Sequence, residues 1–134
     1  MTTLFAYGTL MAPALFELIA GTAMDSRPAV LRGYRRFAFA NERYPGLIPG
    51  TVADRTKGLA IANISTSIWQ RLDAYESDMY SRQQVMLEGP SGERLAAQTY
   101  LVKPQFRYLL ADYDWDFENF LNLHLNAYLD RMRG

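Results

Sequence analysis

Two short stretches of this chain hold residue types that do chemistry. The first is Trp69-Gln70-Arg71-Leu72-Asp73-Ala74-Tyr75-Glu76. On a helix, Trp69, Leu72 and Glu76 recur at intervals of three and four and share one face. That face is apolar apart from the carboxylate. An ionised carboxylate turned inward is costly unless it is paired or holds a proton. Glu76 is therefore either half of a structural ion pair or a group set up to move protons. The sequel Ser77-Asp78-Met79-Tyr80-Ser81-Arg82 ends the helix and starts a strand, with Tyr80 and Arg82 on one side of it. Either residue could steer the carboxylate or bind a polar substrate. A buried Glu76–Arg82 pair is the structural alternative.

The second stretch is Tyr7-Gly8-Thr9-Leu10. A glycine directly after a strand frees the backbone and leaves room for a ligand to approach the main chain. The amides that follow can form a concave set of donors for a carboxylate or a developing oxyanion. The same four residues also fit an ordinary strand-to-helix turn.

Other candidates are set aside on chemical grounds. Asp112-Tyr113-Asp114-Trp115-Asp116 begins like a calcium loop, but Phe117 stands where that loop needs glycine and Leu123 where it needs glutamate. Acids at a helix N-terminus are the better reading. His124 falls on the apolar stripe of the last helix and reads as packed and hydrogen-bonded. Arg32, Arg35 and Arg36, beside Tyr34 and Phe37, read as a solvated strand face. Asp73 lies about 100° around the helix from Leu72, toward the polar side, and reads as solvated.

The elements that must position these residues follow from pattern. Residues 2–7 form a short buried strand ending at Gly8. Pro13 opens a helix through Leu15, Phe16, Leu18 and Ile19, with Gly21 just past its end. Residues 29–41 read as one extended segment, with Leu31, Gly33, Arg35, Phe37 and Phe39 on one side. Tyr44-Pro45-Gly46 and Pro49-Gly50 read as turns. Residues 58–64 form a central strand, and Ser65 or Ser67 caps the helix that carries Glu76. Residues 80–88 and 94–102 are strands joined by a hairpin at Gly89-Pro90-Ser91-Gly92. Residues 115–131 read as one final helix, burying Phe117, Phe120, Leu121, Leu125 and Tyr128. The sum is a single α+β domain over residues 1–134, with mostly antiparallel strands that can curl into a barrel and helices packed against it.

Composition narrows the function further. Apolar residues make up 49% of the 134, which excludes a disordered chain. Fourteen basic side chains balance fourteen acidic ones, so a general nucleic-acid binder is not expected. The absence of cysteine excludes a disulfide frame, a thiolate nucleophile and a zinc–thiolate site. One histidine excludes a site that needs two imidazoles from one chain. The apolar run at residues 4–24 has no preceding Lys or Arg and is interrupted by Glu17, so it reads as folded protein rather than a targeting segment. No stretch is long and apolar enough to span a bilayer. A cytoplasmic monomer with no membrane partner is the expectation.

In this order and in a chain this short, the two stretches resemble the gamma-glutamylcyclotransferase-like superfamily, in its AIG2-like branch that includes gamma-glutamylamine cyclotransferases. The likeness rests on Phe5-Ala6-Tyr7-Gly8-Thr9-Leu10, Leu31-Arg32-Gly33-Tyr34, Tyr44-Pro45-Gly46-Leu47, Gly58 opening a strand, Leu72-Asp73-Ala74-Tyr75-Glu76 and Tyr80-Ser81-Arg82. It runs to about Val102. One departure is Ser77, where the family pattern often has glycine. The resemblance implies a small, mostly antiparallel β-barrel with flanking α-helices. It also implies a cavity in which Tyr7, Gly8, Thr9 and Leu10, with Tyr80 and Arg82 as second candidates, bind a small γ-glutamyl substrate while Glu76 acts as general acid/base. The implied reaction is intramolecular: the substrate's α-amine adds to its own side-chain carbonyl, 5-oxoproline closes and an amine leaves. The nucleophile belongs to the substrate, so no cofactor or metal is expected. Specificity is expected from a rim that includes Arg35, Tyr44, Phe106 or Tyr108. The rival reading is a non-catalytic protein that uses the same pocket to carry or sense a small carboxylate; a third is an interaction module with a vestigial pocket.

Overall fold

The computed structural model describes residues 1–133. The strands are β1 (Thr2–Ala6), β2 (Arg27–Arg32), β3 (Tyr34–Ala38), β4 (Pro45–Pro49), β5 (Arg55–Ile64), β6 (Tyr80–Glu88) and β7 (Arg94–Val102). The helices are α1 (Pro13–Ala20), α2 (Thr66–Tyr75), α3 (Phe117–Leu123) and α4 (Leu125–Arg133). Five strands close a barrel in the order β1-β5-β2-β6-β7, and β3 and β4 form a separate two-stranded sheet. The fold is the expected α+β barrel with flanking helices. Its pairings are antiparallel except at the closure, where Leu4 of β1 lies parallel to Gln98 of β7.

Strand alternation builds two cores from one element. In β1, Leu4 and Ala6 face outward and pack with Phe16, Ile64, Trp69 and Leu72 beneath α1 and α2. Phe5 and Tyr7 face inward and meet Ala29, Leu31, Ala60, Val85 and Leu87 inside the barrel. A third cluster joins Leu15 of α1 to Trp115, Phe120, Tyr128 and Leu129. The first strand is thus buried on both faces, and the loop that follows it inherits a rigid base.

The hairpin of β6 and β7 pairs in continuous register from Tyr80↔Val102 to Glu88↔Arg94, with Gly92 in a left-handed turn (φ 82°). Ser65, not Ser67, caps α2 by accepting the Ile68 N–H. Asp116 caps α3 by accepting the Asn119 N–H, in line with acids placed for a helix N-terminus.

Four boundaries differ from the sequence expectation. Residues 29–41 are two strands, not one, because Gly33 adopts φ 83° and breaks the run; its N–H donates to Asp54 and its carbonyl accepts from Gly50. Tyr44-Pro45-Gly46 is not a turn: β4 begins at Pro45, opposite Ala38, and the reversal sits before it, around Asn41 (φ 62°). Proline is tolerated there because it opens a strand of a two-stranded sheet. The central strand starts at Arg55 rather than Gly58, because β2 pairs with it as far as Arg32↔Arg55. The final helix is two helices, broken at His124 (φ −126°). The break lets Trp115, Phe120 and Tyr128 share one core, with Phe120 and Tyr128 edge to face at 5.0 Å. His124 is half-buried at this break rather than on a continuous stripe. No helix of the described residues is long and apolar enough to cross a membrane.

Candidate active site

Helix α2 ends at Tyr75 because Glu76 turns to an extended conformation (φ −72°, ψ 148°) while its N–H still donates to Leu72. Trp69 and Leu72 are buried on the face from which Glu76 follows, as the spacing predicts. The Glu76 carboxyl lines a cavity of about 180 Å³. That is below the roughly 300 Å³ at which pockets for drug-sized ligands begin, so the cavity suits a small molecule.

A second wall is the 7–10 loop. Tyr7, Gly8, Thr9 and Leu10 all line the same cavity. Residues Thr9–Met11 form one 3-10 turn, whose first bonds run from the Met11 and Ala12 N–H groups to the Gly8 and Thr9 carbonyls. The N–H groups of Gly8, Thr9 and Leu10 precede those bonds. Three side-chain bonds hold the loop in place. The Tyr7 hydroxyl donates to the Tyr100 carbonyl at 2.6 Å. Arg36 donates to the Tyr7 carbonyl at 2.8 Å. Thr9 and Tyr75 share a hydroxyl hydrogen bond of 2.7 Å, which ties the loop to the helix that ends at Glu76. The two stretches therefore converge.

Gly8 stands at φ −129° and ψ −137°, outside the usual strand and helix regions. A Cβ there would lie 2.9 Å from Cγ of the rigid Pro45 ring. Pro45 is itself fixed, since the Tyr80 hydroxyl donates to its carbonyl at 2.6 Å. Tyr80 thus lines the cavity and braces it at once.

Arg82 is placed elsewhere. It does not line this cavity. Its guanidinium pairs with Asp73 at 3.1 Å, donates to Gln98 at 2.8 Å and stacks on Trp69 at 4.3 Å from the ring centroid. The Glu76–Arg82 pair does not form. Asp73 is about 42% exposed, as its place on the polar side of the helix predicts, and accepts from Arg82 and from the Tyr100 hydroxyl at 2.7 Å. Arg36 is likewise not part of a solvated patch: besides the Tyr7 carbonyl it grips Asp114 at 2.8 Å. Of the proposed rim, Tyr44 lines the cavity and Arg35, Phe106 and Tyr108 do not.

No Lys, Arg or His of the described residues pairs with Glu76. Its oxygens have no hydrogen-bond partner in the protein, yet no unpartnered side-chain oxygen is sealed from solvent. Burial among the cavity walls pushes the Glu76 carboxyl up to about 8, and the nearby charge of Asp73 adds to the shift. Burial raises the Tyr7, Tyr75, Tyr80 and Tyr100 hydroxyls as well, so these remain neutral donors. The cavity thus brings the main chain of the 7–10 loop together with one titratable acid. The pattern reading missed Arg36, Pro45, Tyr75, Tyr100 and Arg131. Tyr75 adjoins Glu76, which is a usable signal; Tyr100 faces α2 from β7, beside Trp69 and Asp73. Arg36, Pro45 and Arg131 depend on contacts far apart in sequence.

Known proteins share this sequence pattern and this fold. AIG2-like protein D of Arabidopsis thaliana is 31% identical over 132 residues, covering 96% of this chain and 85% of the relative. A solution structure of an Arabidopsis thaliana protein superposes with a TM-score of 0.73 at 26% identity, covering 98% of this chain and 79% of the other. A structure named gamma-glutamyl cyclotransferase shares the fold, with a TM-score of 0.65 at 15% identity over 99% of this chain and 86% of its own. The family model described as "Gamma-glutamyl cyclotransferase, AIG2-like" matches residues 4–117. That span takes in the barrel, the 7–10 loop and the helix that stops at Glu76, and the chain belongs to this family.

Proposed function

We propose that the protein is a cyclotransferase that converts a γ-glutamyl amide to 5-oxoproline and a free amine, with Glu76 as the proton shuttle. The observation that carries this reading is an unpaired carboxyl, raised to about 8, in one small cavity with the 7–10 loop. Three tasks follow from the chemistry. The flexible glutamyl chain must fold so that its α-amine meets its side-chain carbonyl, and well-oriented intramolecular attack is worth effective molarities of about 10⁵ M or more. The loop amides take the α-carboxylate or the oxyanion that develops on the carbonyl; one good oxyanion donor is worth roughly 3 kcal/mol.

The third task is proton transfer. An ammonium cannot attack. Glu76 accepts a proton from the substrate's α-ammonium, the nitrogen–carbonyl bond forms, Glu76 returns that proton to the leaving nitrogen as its bond to the carbonyl breaks, and the ring nitrogen's remaining extra proton passes to the departing amine, which leaves as an ammonium. Chain α-amines titrate near 8. A carboxyl at about 8 exchanges a proton with such a group at little free-energy cost. Arg82 does not oppose this, because Asp73 and Gln98 occupy it. The tyrosine hydroxyls position rather than react.

The test is release of 5-oxoproline from a panel of γ-glutamyl amines and γ-glutamyl amino acids. We expect turnover by the native protein and none above background by Glu76→Gln, with 5-oxoproline still bound by the variant. Full activity of Glu76→Gln removes Glu76 as the shuttle. Binding of 5-oxoproline without turnover of any substrate by the native protein supports the small-carboxylate binder instead.

A further inference from the structure

Arg36 stands behind the 7–10 loop and outside the cavity. It lies opposite Leu47 in the β3–β4 sheet, and only 16% of its side chain is exposed. Its guanidinium divides three nitrogens between two acceptors. Nε and Nη2 donate to the two carboxylate oxygens of Asp114 at 2.8 and 3.2 Å. Nη1 donates to the Tyr7 carbonyl at 2.8 Å. The guanidinium carbon also lies 5.6 Å from the Trp115 ring centroid. Asp114 alone would anchor this side chain. The remaining bond goes to a peptide that borders the cavity.

That peptide links Tyr7 to Gly8, so the Tyr7 carbonyl and the Gly8 N–H share one plane. No peptide bond among the described residues is cis, and a trans peptide carries its C=O and N–H on opposite edges. Fixing the oxygen against Arg36 therefore fixes the hydrogen on the far side. Arg36 does not line the cavity, whereas Gly8 does. Among the described residues the Gly8 N–H donates to no acceptor, and β1 has already ended at Ala6. A cation on the carbonyl also polarises the amide and makes its N–H a stronger donor.

Resting on the proposed cyclisation, we infer that Arg36 is a positioning residue: through the Tyr7–Gly8 peptide it aims and strengthens the Gly8 N–H toward an anionic oxygen of the ligand. The guanidinium itself never touches the substrate. A cation inside the cavity would favour the ionised form of Glu76 and work against its proton shuttle. Behind the loop, with Asp114 balancing its charge, Arg36 acts through the direction and polarity of one amide. A lysine has a single nitrogen and lacks the planar fork that grips Asp114 and Tyr7 together.

The experiment follows the ligand and the amide together. Native protein, Arg36→Met, Arg36→Lys and Asp114→Asn are compared by titration with 5-oxoproline, by kcat/KM for 5-oxoproline release, and by the Gly8 amide resonance in ¹H–¹⁵N spectra. Arg36→Met fills similar space without a donor. It should weaken 5-oxoproline binding and lower kcat/KM, each by about tenfold or more, the weight of one charge-assisted bond. The Gly8 proton should move downfield when 5-oxoproline binds the native protein, and less far in Arg36→Met. Arg36→Lys should recover part of both effects. Asp114→Asn breaks the ion pair but leaves the bond to Tyr7, so it should lose less than Arg36→Met.

Circular dichroism checks folding; if Arg36→Met does not fold, Arg36→Lys carries the same comparison with a smaller loss. Native affinity and turnover in the Arg36 variants overturn the inference and leave the cyclisation standing. Equal losses in Arg36→Met and Asp114→Asn, with an unaltered Gly8 shift, mean that Arg36 only braces the sheet, and overturn it too. If the native protein binds 5-oxoproline and releases none from any substrate, the cyclisation falls, and the titration and the Gly8 shift still decide the role of Arg36. No binding of 5-oxoproline by the native protein removes both.

Discussion

The C-terminal turn of α2 carries two carboxylates three residues apart, and its two sides treat them in opposite ways. On the outer side Asp73 is met by Arg82 and by the Tyr100 hydroxyl. On the inner side Glu76 lines the cavity with tyrosines, Pro45 and the 7–10 loop, and although it also borders the groove of Asp73 and Arg82, no cation is paired to it among the described residues. The difference lies in which neighbours the barrel supplies. On β6, Tyr80 reaches the Pro45 carbonyl while Arg82 reaches the outer groove. A paired carboxylate stabilises a surface; an unpaired one between walls keeps its proton to near neutrality and can trade it.

The largest expected effect is the loss of this asymmetry at Glu76. Glu76→Gln should lower kcat/KM for 5-oxoproline release by about 10²–10⁴-fold. Asp73→Asn should cost far less turnover. Its effect is on the pH profile, since removing a neighbouring negative charge lets Glu76 ionise more readily. The acid limb of kcat/KM, expected near pH 8 in the native protein, should move to lower pH in Asp73→Asn. An unmoved limb would separate the two carboxylates electrostatically and weaken the comparison.

Stability gives an independent reading. Glu76 titrates at about 8 when folded and at 4.5 as a free side chain. Between these values the folded state binds more protons than the unfolded one, so Glu76 makes stability fall as pH rises through that window. The amide introduced by Glu76→Gln cannot ionise. This variant should therefore be more stable than the native protein at pH 9, by on the order of a few kcal/mol, and the advantage should vanish near pH 4. Urea melts at the two pH values measure it. A variant less stable at both pH values would mean that the carboxylate has a partner.

A smaller effect comes from the wall that faces Glu76. Gly8→Ala places a methyl against the Pro45 ring and should cost about 1–3 kcal/mol of stability, with weaker 5-oxoproline binding by titration. The smallest effect belongs to the outer side: Arg82→Gln breaks a half-exposed pair and should change stability by about 1 kcal/mol or less.

Local pattern carried the site's chemistry further than its geometry. Glu76 and the 7–10 loop were legible because each needs only its own stretch: an acid at helical spacing from Trp69 and Leu72, and a glycine after a buried strand. The barrel was legible in its strands but not in its order, because period-two alternation identifies a strand and not its neighbour. Pro45 misled, since proline punctuates turns far more often than it opens a strand. The break at His124 was hidden because no glycine or proline marks it; side-chain packing around Trp115 makes it. Arg82 was assigned to the pocket, whereas it pairs with the exposed Asp73 outside it, which only a folded barrel reveals.

The closure of the barrel has a consequence for how the protein is made. Residues 4 and 98 are neighbours, and the Phe5 and Tyr100 carbonyls accept hydroxyl bonds across more than ninety residues of chain. Such long-range pairing slows folding. On a ribosome the first strand is synthesised early, finds its main partner only with the fifth strand and closes the barrel only with the seventh, so the pocket around Glu76 is among the last features to exist.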